Sequence, residues 1–144
     1  MLDIDNTLAD AWPSFLEEWP SERDRLRGLR LLPGMKAAAY DAAPGPVMFL
    51  SHRNWWEWSL TRNWLRQHGM VGVLVLVASP TDKVRHLSKL ASGRSVTYWD
   101  DLSHGTERGE TEVYAEVIDA VAGLGIEWHG LDEIDGIVAS AGGR

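Results

Sequence analysis

Val71-Gly72-Val73-Leu74-Val75-Leu76-Val77, which runs on into Ala78-Ser79-Pro80, is the longest apolar run of the chain, and it decides the fold class. It is too short for a helix of ordinary length, rich in β-branched residues, and continuous rather than alternating. That pattern describes a strand buried on both faces, as in a parallel sheet. Working outward, the stretch before it reads as a helix over Asn54–His68, with Trp56, Leu60 and Trp64 at i, i+4 and i+8 and Gly69 as the stop. Val47–Leu50 before that helix is a second buried strand, and a further helix is expected around Met35–Ala42. After the run, Asp82–Ala91 predicts a helix with Val84, Leu87 and Ala91 on one face and Thr81 or Asp82 as cap. Val96–Trp99 follows as a strand. Glu110–Ala122 is then a helix, with Tyr114, Val117, Ile118 and Val121 inward and Gly123 ending it. Ile126–His129 is a short strand and Leu131–Ala139 a last, weaker helix. Strands alternating with helices predict an α/β fold with a central parallel sheet covered on both faces.

The chain has 144 residues, 14 Lys and Arg against 21 Asp and Glu, a net charge of −7, and no cysteine. The length predicts a single domain over residues 1–144. The lack of cysteine excludes disulfides and thiolate metal sites. The acidic balance, concentrated in the second half, weakens the case for a stable nucleic-acid complex or an anionic membrane surface. No apolar run is long enough to span a bilayer. Asp3, Asp5 and Asp10 break up any secretory leader, so a cytoplasmic protein is expected.

In open parallel sheets, chemistry sits beyond the carboxyl ends of the strands. The residues there form a coherent set: Asp3-Ile4-Asp5-Asn6-Thr7-Leu8 at the beginning, Ser51 after Phe49-Leu50, Lys83 after the Val71–Val77 strand, and Asp100-Asp101 after Tyr98-Trp99. Four converging carboxylates repel one another unless a cation joins them. Carboxylate and water oxygens suit Mg²⁺. One Asp is then free to act as a nucleophile on phosphorus. A second, two residues on, points to the same side of an extended chain and is placed to exchange the proton. A hydroxyl and an ammonium complete an electrostatic cradle for phosphoryl oxygens.

These four segments, in this order and at these strand ends, resemble the motifs of the haloacid dehalogenase superfamily, over roughly residues 1–122. The resemblance implies a Rossmann-like three-layer sandwich and a Mg²⁺-dependent phosphomonoester hydrolase with an aspartyl-phosphate intermediate. Asp3 would be the nucleophile and Asp5 the general acid and base, its backbone carbonyl also on the metal. Thr7 would steady the loop, Ser51 would bind a phosphoryl oxygen, and Lys83 would neutralise charge. Asp3, Asp5, Asp100 and Asp101 would form the Mg²⁺ site. Ser51-His52-Arg53 and the helix after it are similar to the second-motif region of polynucleotide 3′-phosphatases. That likeness makes Arg53 a candidate phosphate clamp and His52 a site-lining residue. Family members carry a full apolar strand before the first Asp, whereas only Met1 and Leu2 stand here. The expectation is a stunted first strand or a start lying upstream. His52 also stands where related phosphatases often have Gly.

The spacings between motifs leave room for a flap or mini-cap at residues 9–33 but for no large cap domain. The site should therefore be open. It suits a bulky phosphate ester, nucleotide or nucleic-acid end, or a small phosphorylated molecule if a second subunit of a homo-oligomer closes it. Trp56 is expected in the core from its phase with Leu60 and Trp64, and one of Trp55 and Trp58 on the surface. Arg23, Arg25, Arg27 and Arg30 read as a solvated face. A receiver-type phospho-signalling domain fails on the order of its residues, because its acceptor Asp would end the third strand. The competing expectation is a catalytically impaired domain of the same fold that binds a partner.

Overall fold

The computed structural model describes residues 1–105 and 108–143. It is a mixed α/β protein with short parallel strands and no barrel. Strand β1 (Met48–Ser51) pairs in parallel with β2 (Val73–Leu76), and β3 (Thr97–Trp99) pairs in parallel with β6 (Glu127–His129). Two short strands between them, β4 (Ser103–His104) and β5 (Glu112–Val113), form an antiparallel pair. The first residues join the two parallel pairs. Leu2 bridges Phe49 on one side and Trp99 on the other, both in parallel. Its N–H donates to Met48 at 2.9 Å, its carbonyl accepts from Leu50 at 2.9 Å, and Asp3 N–H donates to the Trp99 carbonyl at 2.8 Å. The spatial order is therefore β2, β1, the 1–3 segment, β3, β6. The segment that leads into Asp3 therefore lies in the middle of the sheet.

Helices cover both faces. Neighbouring strand residues point to opposite sides. Phe49, with Leu2, packs in one apolar cluster with Trp64 of α3 (Trp58–Gln67) and with Ile134 and Val138 of α6 (Leu131–Ser140). Leu50 and Tyr98 pack in a second cluster with Leu87 of α4 (Pro80–Ala91) and with Val117 and Val121 of α5 (Ala115–Ala122). The first cluster also takes in α2 (Glu22–Gly28) through Leu26 and a π-helical turn, Lys36–Asp41, through Ala39. Residues 9–33 hold the short α1 (Ala11–Ser14) and α2, with Phe15 and Leu16 exposed between them.

Three expectations are corrected. The helix after β1 is not α from Asn54. A 3₁₀ turn occupies Trp55–Glu57, closed by a capping box between Asn54 and Glu57, and α begins at Trp58. The tighter turn shifts the phase, so Glu57 faces inward and Trp55, Trp56 and Trp58 are all exposed, Trp56 at 62%. The cap of α4 is Ser79, whose hydroxyl accepts from Asp82 N–H, rather than Thr81 or Asp82. Glu110–Ala122 is not one helix. Glu112–Val113 pairs with Ser103–His104, and the helix starts at Ala115. No helix among the described residues is long and apolar enough to cross a membrane.

Candidate active site

Asp3 closes the central segment, Ser51 ends β1, Lys83 lies in the first turn-and-a-half of α4 after β2, and Asp100-Asp101 follow β3. All therefore stand at the carboxyl ends of parallel strands. They meet at a cavity of about 140 Å³, lined by Asp3, Asp5, Ser51, Lys83, Asp100 and Asp101 among others. One carboxylate oxygen from each of Asp3, Asp100 and Asp101 lies within 4.8 Å of the other two, and all three residues are buried. The Asp5 carboxylate is not in that group.

Two local features aim the carboxylates. After Asp5 the chain turns back sharply, with the N–H groups of Leu8 and Ala9 both donating to the Ile4 carbonyl. The turn needs a left-handed residue, and Asn6 supplies it at φ 57°, with its side-chain oxygen accepting from Trp12 N–H at 3.0 Å. After Asp101, Leu102 is also left-handed, at φ 44°, although its side chain is buried. That conformation is costly for Leu. It lets Leu102 N–H donate to Asp100 Oδ1 at 2.8 Å.

Lys83 is the cation of the cluster. Its Nζ donates to Asp3 Oδ1 at 2.8 Å and to Asp100 Oδ2 at 2.6 Å. Burial pulls its pKa down, but Asp100 and Asp3 hold it above the ordinary ammonium value. Burial pushes the Asp3 carboxyl well up; Lys83 opposes this, and Asp100, Asp101 and Asp5 reinforce it. Asp101 is raised to about 7, by burial first and by Asp100 second. Three crowded carboxylates against one ammonium leave a local deficit of two positive charges, which a divalent cation would cancel. Oxygen donors of this kind fit Mg²⁺.

Asp5 and Arg53 form a separate unit. Arg53 donates through Nε to Asp5 Oδ2 at 2.7 Å and through Nη2 to Asp5 Oδ1 at 2.6 Å, a bidentate fork. Its remaining nitrogen, Nη1, donates to Thr61 Oγ1 at 3.1 Å. Burial would raise the Asp5 carboxyl, but the Arg53 charge and hydrogen bonds hold it below the usual range. The expected phosphate clamp is thus turned onto the expected proton carrier. Thr7, fully buried, joins the first loop to the last: its hydroxyl donates to Asp101 Oδ1 at 3.3 Å and accepts from Asp101 N–H at 3.2 Å. Ser51 lines the cavity. His52 also lines it, with Nε2 3.0 Å from the Ala78 carbonyl.

Four partners of this site went unseen in the sequence. Tyr98 OH donates to Asp100 Oδ2, Ser103 Oγ donates to Asp101 Oδ2, and Thr61 holds Arg53. Arg25 is buried rather than solvated; it pairs with Glu22, donates to Ser14 Oγ at 2.8 Å, lies over the Phe15 ring at 4.2 Å, and its charge lowers the Asp5 pKa. Only Tyr98 left a signal, because it stands two residues before Asp100 on the same strand face. No family description, curated protein or solved structure matches the chain.

Proposed function

We propose that this chain is a Mg²⁺-dependent phosphomonoester hydrolase of the haloacid dehalogenase type, with a Rossmann-like three-layer fold and an open site. The observation that carries the reading is the meeting of Asp3, Asp100 and Asp101 around Lys83 at the carboxyl edge of parallel strands. The strand order, with the Asp3 segment in the middle, supports the fold half of the reading.

Asp3, Asp100 and Asp101, with the Asp5 carbonyl, would hold the Mg²⁺, which would offset the charge of the carboxylates and of the phosphoryl oxygens. An Asp3 oxygen attacks phosphorus and the ester P–O bond breaks. The leaving oxygen takes a proton from Asp5. Water then attacks the aspartyl-phosphate, gives its proton to Asp5, and releases inorganic phosphate with Asp3 restored. Lys83 stabilises charge on Asp3 and on the phosphoryl group throughout. Asp5 on the Arg53 fork is ionised, so it is set for the second half-reaction. The first requires Arg53 to move its fork from Asp5 to the incoming anion, freeing Asp5 to carry a proton. Ser51 and His52 line the path of that anion.

The cavity holds a phosphoryl group and little more, about four or five waters by volume. The rest of the ester must lie outside it, which supports a bulky or nucleotide-type substrate over a fully enclosed metabolite. The Asp5–Arg53 pair favours one alternative, a catalytically impaired domain that binds its ligand and keeps Asp5 neutralised. One assay separates the two. Phosphate release from an aryl phosphate is measured with Mg²⁺ and with EDTA, for the wild type and Asp3→Asn. Turnover that needs both the metal and Asp3 is expected. Folded protein that binds Mg²⁺ but releases no phosphate from any ester in a nucleotide, sugar-phosphate and 3′-phosphorylated oligonucleotide panel would leave the binding role instead.

A further inference from the structure

Three indoles stand close together on the surface. Trp55, Trp56 and Trp58 are exposed, whereas the other five Trp are buried or half-buried. Trp58 is engaged: its indole N–H donates to the Leu74 carbonyl at 3.4 Å, and the Arg62 guanidinium lies 5.0 Å from its ring centroid. Trp55 and Trp56 meet edge to face, with centroids 5.8 Å apart and planes at 82°. Single exposed apolar side chains are ordinary, but adjoining rings of this size mark a binding surface.

The turn that carries these two rings leaves the acidic cavity directly. Ser51 and His52 line that cavity, and Arg53 holds Asp5, which lines it too. Trp55 is three residues beyond His52, so the backbone places it within about 11 Å of the cavity wall. The turn is rigid on both sides. Arg53 is buried between Asp5 and Thr61, and the buried Glu57 carboxylate accepts from Asn54 N–H at 3.0 Å in the capping box. Both indoles are thus set outward on a fixed support beside the mouth through which the non-phosphoryl part of an ester must emerge.

We propose that Trp55 and Trp56 are a stacking platform for a nucleobase, which assigns the ligand class of the site to nucleoside monophosphates and phosphorylated oligonucleotide ends. The proposal rests on the acidic cavity being a phosphoryl site, as in the reading above, but not on turnover there. Every base offers a flat π-face, and stacking on Trp favours binding whatever the base. With the rings at right angles, a base can lie on the face of one indole while the edge of the other meets its rim. A sugar phosphate has no such face. A phosphotyrosine ring, joined directly to the phosphoryl oxygen, reaches less far from the cavity than a base carried on ribose. The net charge of −7 disfavours long contact with a phosphate backbone, so recognition falls on one terminal phosphate and the base beside it.

The test measures binding in Mg²⁺ with the Asp3→Asn protein, so that no hydrolysis intervenes. The probes are adenosine 3′- and 5′-monophosphate, a 3′-phosphorylated dinucleotide, ribose 5-phosphate and phosphotyrosine. An adenosine monophosphate is expected to bind about tenfold or more tightly than ribose 5-phosphate. Adding Trp55→Ala and Trp56→Ala together should abolish that preference and leave ribose 5-phosphate affinity unchanged. In ¹H–¹⁵N spectra, the two indole N–H signals lost in that variant should shift with the nucleotide and not with ribose 5-phosphate. A dinucleotide that binds more tightly than both mononucleotides makes the source a chain end, and equal binding makes it a free nucleotide; either supports the platform. Equal affinity for nucleotide and ribose 5-phosphate, no binding of any nucleotide, or a preference that survives loss of both indoles overturns the proposal. So does phosphotyrosine bound as tightly through the same rings, which would assign them to an aryl ester. Aryl-phosphate turnover by the wild type without nucleotide preference would remove the platform alone; nucleotide preference without turnover of any ester would remove the hydrolase reading alone.

Discussion

Arg53 is the residue on which the chemistry of this site turns. Its side chain is 4% exposed and that of Asp5 34%. The pair is therefore half a buried salt bridge and half a rim contact. Removing the guanidinium in Arg53→Met leaves Asp5 partly desolvated and uncompensated. The expected cost is about 2 kcal/mol in urea unfolding, less than for a wholly buried pair because water reaches Asp5. For catalysis, a fork that moves from Asp5 to the phosphoryl group predicts two effects in Arg53→Lys: a raised KM, from the lost bidentate grip, and a kcat lowered by about tenfold or more, since an ammonium holds Asp5 less firmly than a guanidinium. Steady-state kinetics on an aryl phosphate reads both. Unchanged KM with reduced kcat would mean that Arg53 acts on Asp5 alone and never touches substrate.

At the scale of elements, the segment Asn54–Gln67 shows how far pattern reading reaches. Trp64 is in the core, 1% exposed, with its indole N–H donating to the Leu29 carbonyl at 2.8 Å. Trp56, two helical turns earlier in sequence, is outside because a 3₁₀ turn precedes the α-helix. Trp64→Ala should cost about 3–5 kcal/mol, and Trp56→Ala less than about 0.5 kcal/mol, in parallel denaturant titrations. Similar losses at both would contradict the assigned turn. The strands and most helices were legible because each is a run of one period. The 3₁₀ turn was not, because Asn54-Trp55-Trp56-Glu57 carries the cap signature of an α-helix and nothing in its composition marks the tighter winding. The β4–β5 pair was hidden for another reason: Ser103–His104 and Glu112–Val113 are too short for alternation to register. At the site, Asp3, Lys83, Asp100 and Asp101 could be placed from strand ends alone. The Arg53–Asp5 fork and the Ser103 and Thr61 contacts depend on side-chain directions that no linear spacing specifies.

For the whole molecule, the crowded carboxylates couple ionisation to stability. Asp101 is raised to about 7 and Asp3 is raised well above an ordinary carboxylate. A carboxyl raised in the folded state binds its proton more tightly there than when unfolded. Its contribution is therefore full below the ordinary carboxylate pKa and is lost as pH rises through the folded value. Asp5, lowered by Arg53, contributes the opposite sign and loses its contribution only at more acid pH. Without metal, Tm should fall by a few degrees between about pH 4 and pH 7, and Mg²⁺ should restore it above pH 7 by binding the ionised cluster. Tm measured across pH 4 to 9 in EDTA and in Mg²⁺ tests this. A Tm that climbs through that range in EDTA and ignores Mg²⁺ would contradict the electrostatic account of the site. The bridge at Leu2 has a further consequence. Among the described residues, the first three carry the backbone hydrogen bonds that join β1–β2 to β3–β6, and one of them is the proposed nucleophile. A chain lacking residues 1–3 would keep both strand pairs, but its sheet would be split between β1 and β3, with only the side-chain packing of the two apolar clusters left to hold the halves together. Deleting those three residues would show as a lower and broader unfolding step.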